Sequence, residues 1–204
     1  MTINRRRAFL PAAILALGLL VSACSGSAGD AAVVGSQHVT EATLNSSVSD
    51  VLVAQGYSVN KSDPTLVTAT LNWLIVQDLL EQVATDKKVV VTQGQIDRER
   101  AAEMKSAGSE DALNAAYLKQ NVAPNQIEDR IRFSLMAQLV AKAVAPTATA
   151  EQATAALVAV VVAKSEEVNP EVNPRFGTWD SKNLQLGSVP SDLATALPTM
   201  PPAQ

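Results

Sequence analysis

Asp63-Pro64 opens a stretch that dictates most of what this chain can become. After it, Leu66, Trp73 and Leu80 recur at every seventh position, and so do Ala69, Val76 and Val83. Leu71, Leu74, Ile75 and Leu79 then widen the apolar stripe almost all round the helix that this spacing predicts. Aspartate is a good N-cap, and proline is well placed in the first helical turn, where its missing N–H costs nothing. A helix so apolar cannot lie on a surface. Other elements must cover it on more than one side, so it is the expected spine of the fold, ending near Asp86-Lys87-Lys88.

The flanking sequence supplies those elements. The run 31–40 reads as two short strands about a tight turn at Gly35-Ser36. Thr40 then caps a helix over 41–54, with Leu44, Val48, Val51 and Leu52 on one face and Gly56 at its end. Thr92 caps a charged helix from Gln93 to about Lys105, in which only Ile96, Met104 and the alanines face inward. Its Asp97, Arg98, Glu99, Arg100 and Glu103 read as a solvated face more readily than as a partner surface. Ser109 caps a short helix through Leu113 and Tyr117, and Pro124 opens a long one with Ile127, Ile131, Leu135 and Leu139 directed inward. Ala145-Pro146 interrupts it. A last Ala/Val-rich segment runs from Thr149 or Ala150 to Lys164, and periodicity does not decide whether its Val160-Val161-Val162 is helix or strand. Residues 172–180 mix β-formers with Pro and Gly and read as an extended edge with a bend. The richness in alanine favours helix generally, so the expected fold is mostly α with a small β element of two or three strands.

The N-terminus has a different character. Arg5, Arg6 and Arg7 precede an apolar run over 8–21, and small residues follow. This is the layout of an export signal. The run is short for a bilayer span, which takes roughly 20 apolar residues. Val21-Ser22-Ala23-Cys24 resembles the lipobox of bacterial lipoproteins, with valine in the place usually held by leucine. The resemblance implies cleavage between Ala23 and Cys24 and a diacylglyceryl group on the Cys24 sulfur, which would anchor the protein at the extracytoplasmic face of the cell membrane. Two or more acyl chains suffice for stable anchoring, at about 0.8 kcal/mol per buried methylene. Arg6-Arg7-Ala8-Phe9-Leu10 resembles the twin-arginine export motif, but an arginine-rich start also suits general secretion, and both routes stay open. The expected organisation is a signal peptide over 1–23, a Ser/Gly/Ala tether over 24–30, a folded domain over 31–180 and a Pro-rich flexible tail over 181–204.

Several chemistries are disfavoured. The whole chain has a formal charge of −4, and loss of Arg5, Arg6 and Arg7 with the signal leaves the remainder more acidic still. An acidic surface is the wrong sign for nucleic acid or for anionic lipid. Aromatic residues make up 3%, too few for a base-stacking surface. Cys24 is the single cysteine, and once it is lipidated no thiol remains for disulfides, nucleophilic catalysis or metal binding. His38 is the single histidine and sits beside the first turn, so a catalytic triad or a histidine metal site has little to draw on. The glycines at 35, 56, 94, 108 and 177 stand alone, so no phosphate-cradling loop is formed. A protein without catalysis, cofactor or metal is expected.

Taken in order, several segments form a family pattern: Val34-Gly35-Ser36-Gln37-His38-Val39-Thr40, the Trp73 to Ala84 part of the spine, Val91-Thr92-Gln93-Gly94-Gln95-Ile96, Ser109-Glu110-Asp111-Ala112-Leu113, and Ile127 to Val140. This order resembles the N-terminal domain of SurA-type periplasmic chaperones, shared in outline with PrsA-like foldases. Val172-Asn173-Pro174-Arg175-Phe176-Gly177 resembles a late strand that returns in some relatives to pair with the first one. That would set Val33-Val34 beside 172–176. Relatives often carry a parvulin prolyl isomerase domain between these parts, and 144–168 is too short to hold one. The resemblance thus implies a chaperone-like body without the isomerase.

The function expected on these grounds is binding of unfolded or extended client proteins by a lipid-anchored domain. Trp73, Met104, Tyr117, Phe133 and Met136 are the candidate client-binding residues, because aromatic and methionine side chains adapt to varied partners. Plain core packing is the commoner role of such residues at these helical positions. The alternative is a structural or adaptor lipoprotein that binds one folded envelope partner.

Overall fold

Pro64 and the residues after it do form the spine of the molecule. The computed structural model describes residues 29–58 and 61–189. The spine is helix α2 (Pro64–Asp86), the longest of six α-helices among the described residues. Asp63 caps it by accepting a hydrogen bond from the Leu66 N–H at 3.0 Å. Leu71, Ile75 and Leu79, one helical turn apart, have no exposed surface at all. Helices α1 (Glu41–Ala54), α5 (Ile127–Val144) and α6 (Ala150–Val168) pack against α2, as do strands β1 (Asp30–Val34) and β2 (Gln37–Thr40). The main core gathers Leu44, Val48, Val51 and Leu52 of α1 with the α2 stripe, Val140 of α5 and Val161 of α6. A second, smaller core of Ile96, Val122, Ile127 and Ile131 holds α3 (Gln93–Ala107) and α4 (Glu110–Leu118) to α5. The mostly helical fold with a small β element is therefore as the sequence indicates.

Helix ends follow the capping residues. Thr40 and Ser109 accept from the N–H groups of Thr43 and Ala112. The segment left open between helix and strand is helix. Thr149 and Gln152 form a reciprocal capping box at its start, and Asn169, with φ of 46°, ends it in the left-handed conformation. Among the charged residues of α3, Asp97 and Arg98 are exposed, and Arg100 pairs with Glu110 of α4 at 2.7 Å.

The chain closes on itself through a three-stranded antiparallel sheet in the order β2-β1-β3, where β3 is Glu171–Val172. Ala32 faces Val172 and Val33 faces Glu171, so the first strand and the late segment are neighbours as expected. The pairing is shorter than expected, because Pro174–Phe176 is a 3-10 turn rather than strand. Proline has no N–H to give to a ladder, and the Asn173 side chain takes the Arg175 N–H at 3.2 Å. Arg175 also pairs with Glu41 at the start of α1, tying the returning chain to that helix.

One boundary moves. The folded body does not stop at residue 180. Strands β4 (Trp179–Asp180) and β5 (Gln185–Leu186) form a hairpin. Asn72 of α2 grips it from both sides, donating to the Leu184 carbonyl at 3.3 Å and accepting from the Leu186 N–H at 2.9 Å. Trp179 adds an indole N–H bond of 2.7 Å to the fully buried Ser165 hydroxyl. The part of the expected tail beyond residue 189 lies outside the described residues, as do the signal segment, Ala23 and Cys24.

Two outcomes follow from this packing. A Cβ at Gly177, where φ is 120°, would collide with the Gly187 carbonyl oxygen. Gly177→Ala should therefore lower stability by more than about 1 kcal/mol and speed proteolysis within 177–189, read by urea unfolding and limited digestion. Asp78 on α2 is half-buried, and burial, followed by the charge of Glu81, raises its carboxyl to about 6. The folded protein then holds a proton that the unfolded chain has released between about pH 4 and pH 6. This group weakens the fold above pH 6, and the loss is recovered as pH falls through 6. Asp78→Asn should raise stability at pH 7.5 by about 1 kcal/mol after allowance for solvent screening, and should flatten the rise toward pH 5.

Candidate functional site: a groove between α2, α4, α5 and α6

The long side chains that line one flank of α2 are not sealed. Trp73 projects from α2 toward α5 and meets Phe133 edge to face, with ring centroids 4.4 Å apart and planes at 64°. Such pairs contribute about 1 kcal/mol beyond the area they bury. Arg130 lies one turn before Phe133 on α5, and its guanidinium carbon stands 3.5 Å from the centre of the Trp73 ring. Trp73, Phe133 and Arg130 are all half-buried. Together they form a wall with an open cavity on each side.

The first cavity, about 500 Å³, is bounded by Glu103 of α3, Tyr117 of α4, Arg130, Phe133 and Ala137 of α5, and Leu157 of α6. The second, about 450 Å³, is bounded by Leu66, Trp73 and Leu74 of α2 with Gln120, Asp129 and Arg130. Gln120 and Arg130 line both. Each falls in the size range of ordinary binding clefts, about 300–1,000 Å³. The helix spacing explains the mixed lining. Ile127 and Ile131 turn into the smaller core, while Arg130, Phe133 and Ala137 form the neighbouring row on α5 and are left facing the gap toward α6.

Electrostatics at the wall are set by burial. The Tyr117 hydroxyl donates to a Glu103 carboxylate oxygen at 2.6 Å. Burial first, and then this bond to Glu103, push the phenol above its ordinary range. Burial also lowers the Arg130 pKa, against a smaller opposing effect of Tyr117. Arginine starts so high that the guanidinium remains charged at neutral pH.

Of the five residues expected to bind clients, Trp73, Tyr117 and Phe133 border the two cavities. Met136 is half-buried next to Phe133 in a shallow crease between α2 and α5. Met104 is half-buried on α3 and lines neither cavity. Arg130, Gln120 and Glu103 were not expected at the site. The spacing of Arg130 and Phe133 on one helix row was a usable signal for the first, but its contact with Trp73 is tertiary and has no local trace. His38 is exposed and bonded to Asp30 at 2.7 Å across the first hairpin. Among the described residues no group of three His, Cys, Asp or Glu side chains is placed to hold a metal ion, and no helix is long and apolar enough to cross a membrane.

Comparison with known proteins finds no matching family, no similar curated protein and no similar solved structure.

Alkaline titration followed by tyrosine absorbance should show a phenol ionising above the usual value of about 10. Tyr117→Phe should remove that step and cost about 1 kcal/mol in urea unfolding, because the Glu103 carboxylate loses its donor.

Proposed function

We propose that this protein is a lipid-anchored extracytoplasmic chaperone of SurA-like kind that binds unfolded or extended protein segments and carries out no catalysis. The observation that carries this reading is the pair of adjoining cavities separated by the half-buried Trp73–Phe133–Arg130 wall. Two clefts meeting at one wall suit a chain that lies across both, with alternate side chains entering each. The walls mix aliphatic and aromatic surface with a comparable share of polar groups, which suits segments of varied sequence. The export signal and the Val21-Ser22-Ala23-Cys24 lipobox support attachment through Cys24 at the outer face of the cell membrane. The acidic balance of the chain fits an anchor made of lipid rather than of basic residues.

Two measurements test the two halves of the reading. The signal-free chain, at a few-fold excess, should suppress light scattering by a chemically denatured protein diluted into buffer, and the Trp73→Ala/Phe133→Ala double variant should lose most of that effect while keeping its helical circular dichroism. No suppression by the unaltered chain at large excess contradicts the chaperone reading. In the producing cell, Cys24→Ser should shift the protein from the membrane to the soluble fraction, and mass spectrometry of the unaltered protein should find diacylglyceryl on Cys24. An unmodified thiol there contradicts the anchor.

A further inference from the structure

Among the described residues Arg130 is the one cation that lines either of these two cavities, and it lines both. Its flat face rests on the Trp73 ring at 3.5 Å. Among the described residues no carboxylate lies within ion-pairing distance of it, and none of its N–H groups is taken by a hydrogen bond. Stacking on an indole covers the guanidinium face but leaves the donor edge, with its coplanar N–H groups, open to a ligand. A half-buried arginine held in this way is pre-organised for one kind of ligand, since its edge matches a carboxylate bidentately. The acidic groups nearby do not take that place. Glu103 is held by the Tyr117 hydroxyl at 2.6 Å, and Asp129 is exposed at the rim of the second cavity. Gln120 lines both cavities beside Arg130, with its amide nitrogen donating to the Ala116 carbonyl at 3.5 Å. Apolar side chains stand among polar ones on either side, Phe133, Ala137 and Leu157 in one cavity and Leu66, Trp73 and Leu74 in the other.

We infer that Arg130 anchors a carboxylate of the bound chain, so that the groove selects extended segments in which an Asp or Glu side chain is flanked by aliphatic residues. This rests on the client-binding reading and names its substrate class. The carboxylate meets the guanidinium edge at the wall, and the aliphatic neighbours enter the two cavities.

The test uses two fluorescein-labelled nonapeptides of Leu, Val and Ala that differ only in a central Glu or Gln, titrated with the signal-free chain and read by anisotropy. The Glu peptide should bind about tenfold more tightly, and the advantage should shrink as salt is raised from 0.05 to about 0.5 M. In Arg130→Gln the two peptides should bind alike. Arg130→Lys, which keeps the charge without the planar edge, should retain about a threefold preference and serves if the glutamine variant does not fold. Equal binding of the two peptides by the unaltered chain, or a preference that persists in folded Arg130→Gln, overturns the inference and leaves client binding standing. Failure of both peptides to bind overturns the inference together with the reading beneath it.

Discussion

Covering the α2 stripe is the constraint from which the rest of this molecule follows. Leu71, Ile75 and Leu79 are wholly buried, and Leu80, Val83 and Leu66 nearly so, which no single neighbour could achieve. Helix α1 and the first hairpin take one side, α5 and α6 another, and the returning chain the remainder. At roughly 2–3 kcal/mol for each fully buried leucine or isoleucine, this spine supplies a large part of the apolar driving force. The same demand explains why distant parts of the sequence meet. Residues near 32 and 172 pair in one sheet because both ends of the chain are needed over the same helix.

The closing elements are held by single polar side chains rather than by extended ladders. Strands β3, β4 and β5 have two residues each, too short to persist alone. Asn72 acts as a substitute strand for β5, and Ser165, the one buried polar side chain of the core among the described residues, receives the Trp179 indole. Buried polar groups are costly when unpaired, so each bond fixes the position of the returning chain as well as stabilising it. The groove lies away from this closure, on the flank of α2 that faces α5. There Trp73 and Phe133 pack on each other, and Arg130 stacks on the indole rather than on a carboxylate.

What could be read in advance divides along a physical line. Caps at Thr40, Asp63 and Ser109, the α2 stripe and the Ile127–Ile131 spacing are local, and the sequence stated them directly. The run of valines in α6 satisfies both periods, and its packing on α5 and α2 together with the Thr149 capping box decides for helix. The hairpin after residue 180 has no local signal, because its stability comes from Asn72 and Ser165, more than ten residues away in sequence. At the site, Trp73, Tyr117 and Phe133 were found through their size and polarity, and Met104 was drawn in by the same criterion although it lines neither cavity. Arg130 carries no local signal, because its role depends on which ring it covers.

The chain has two tryptophans, and they stand at opposite ends of the account: Trp73 in the groove wall and Trp179 in the docked hairpin. Their indole N–H signals in a ¹H–¹⁵N correlation spectrum of the signal-free protein separate binding in the groove from binding elsewhere. Titration with a permanently unfolded client should move or broaden the Trp73 signal and leave the Trp179 signal, held by Ser165, in place. A client that moves Trp179 alone, or that moves neither while it binds, would contradict the central claim that the Trp73–Arg130 wall is where other chains are held.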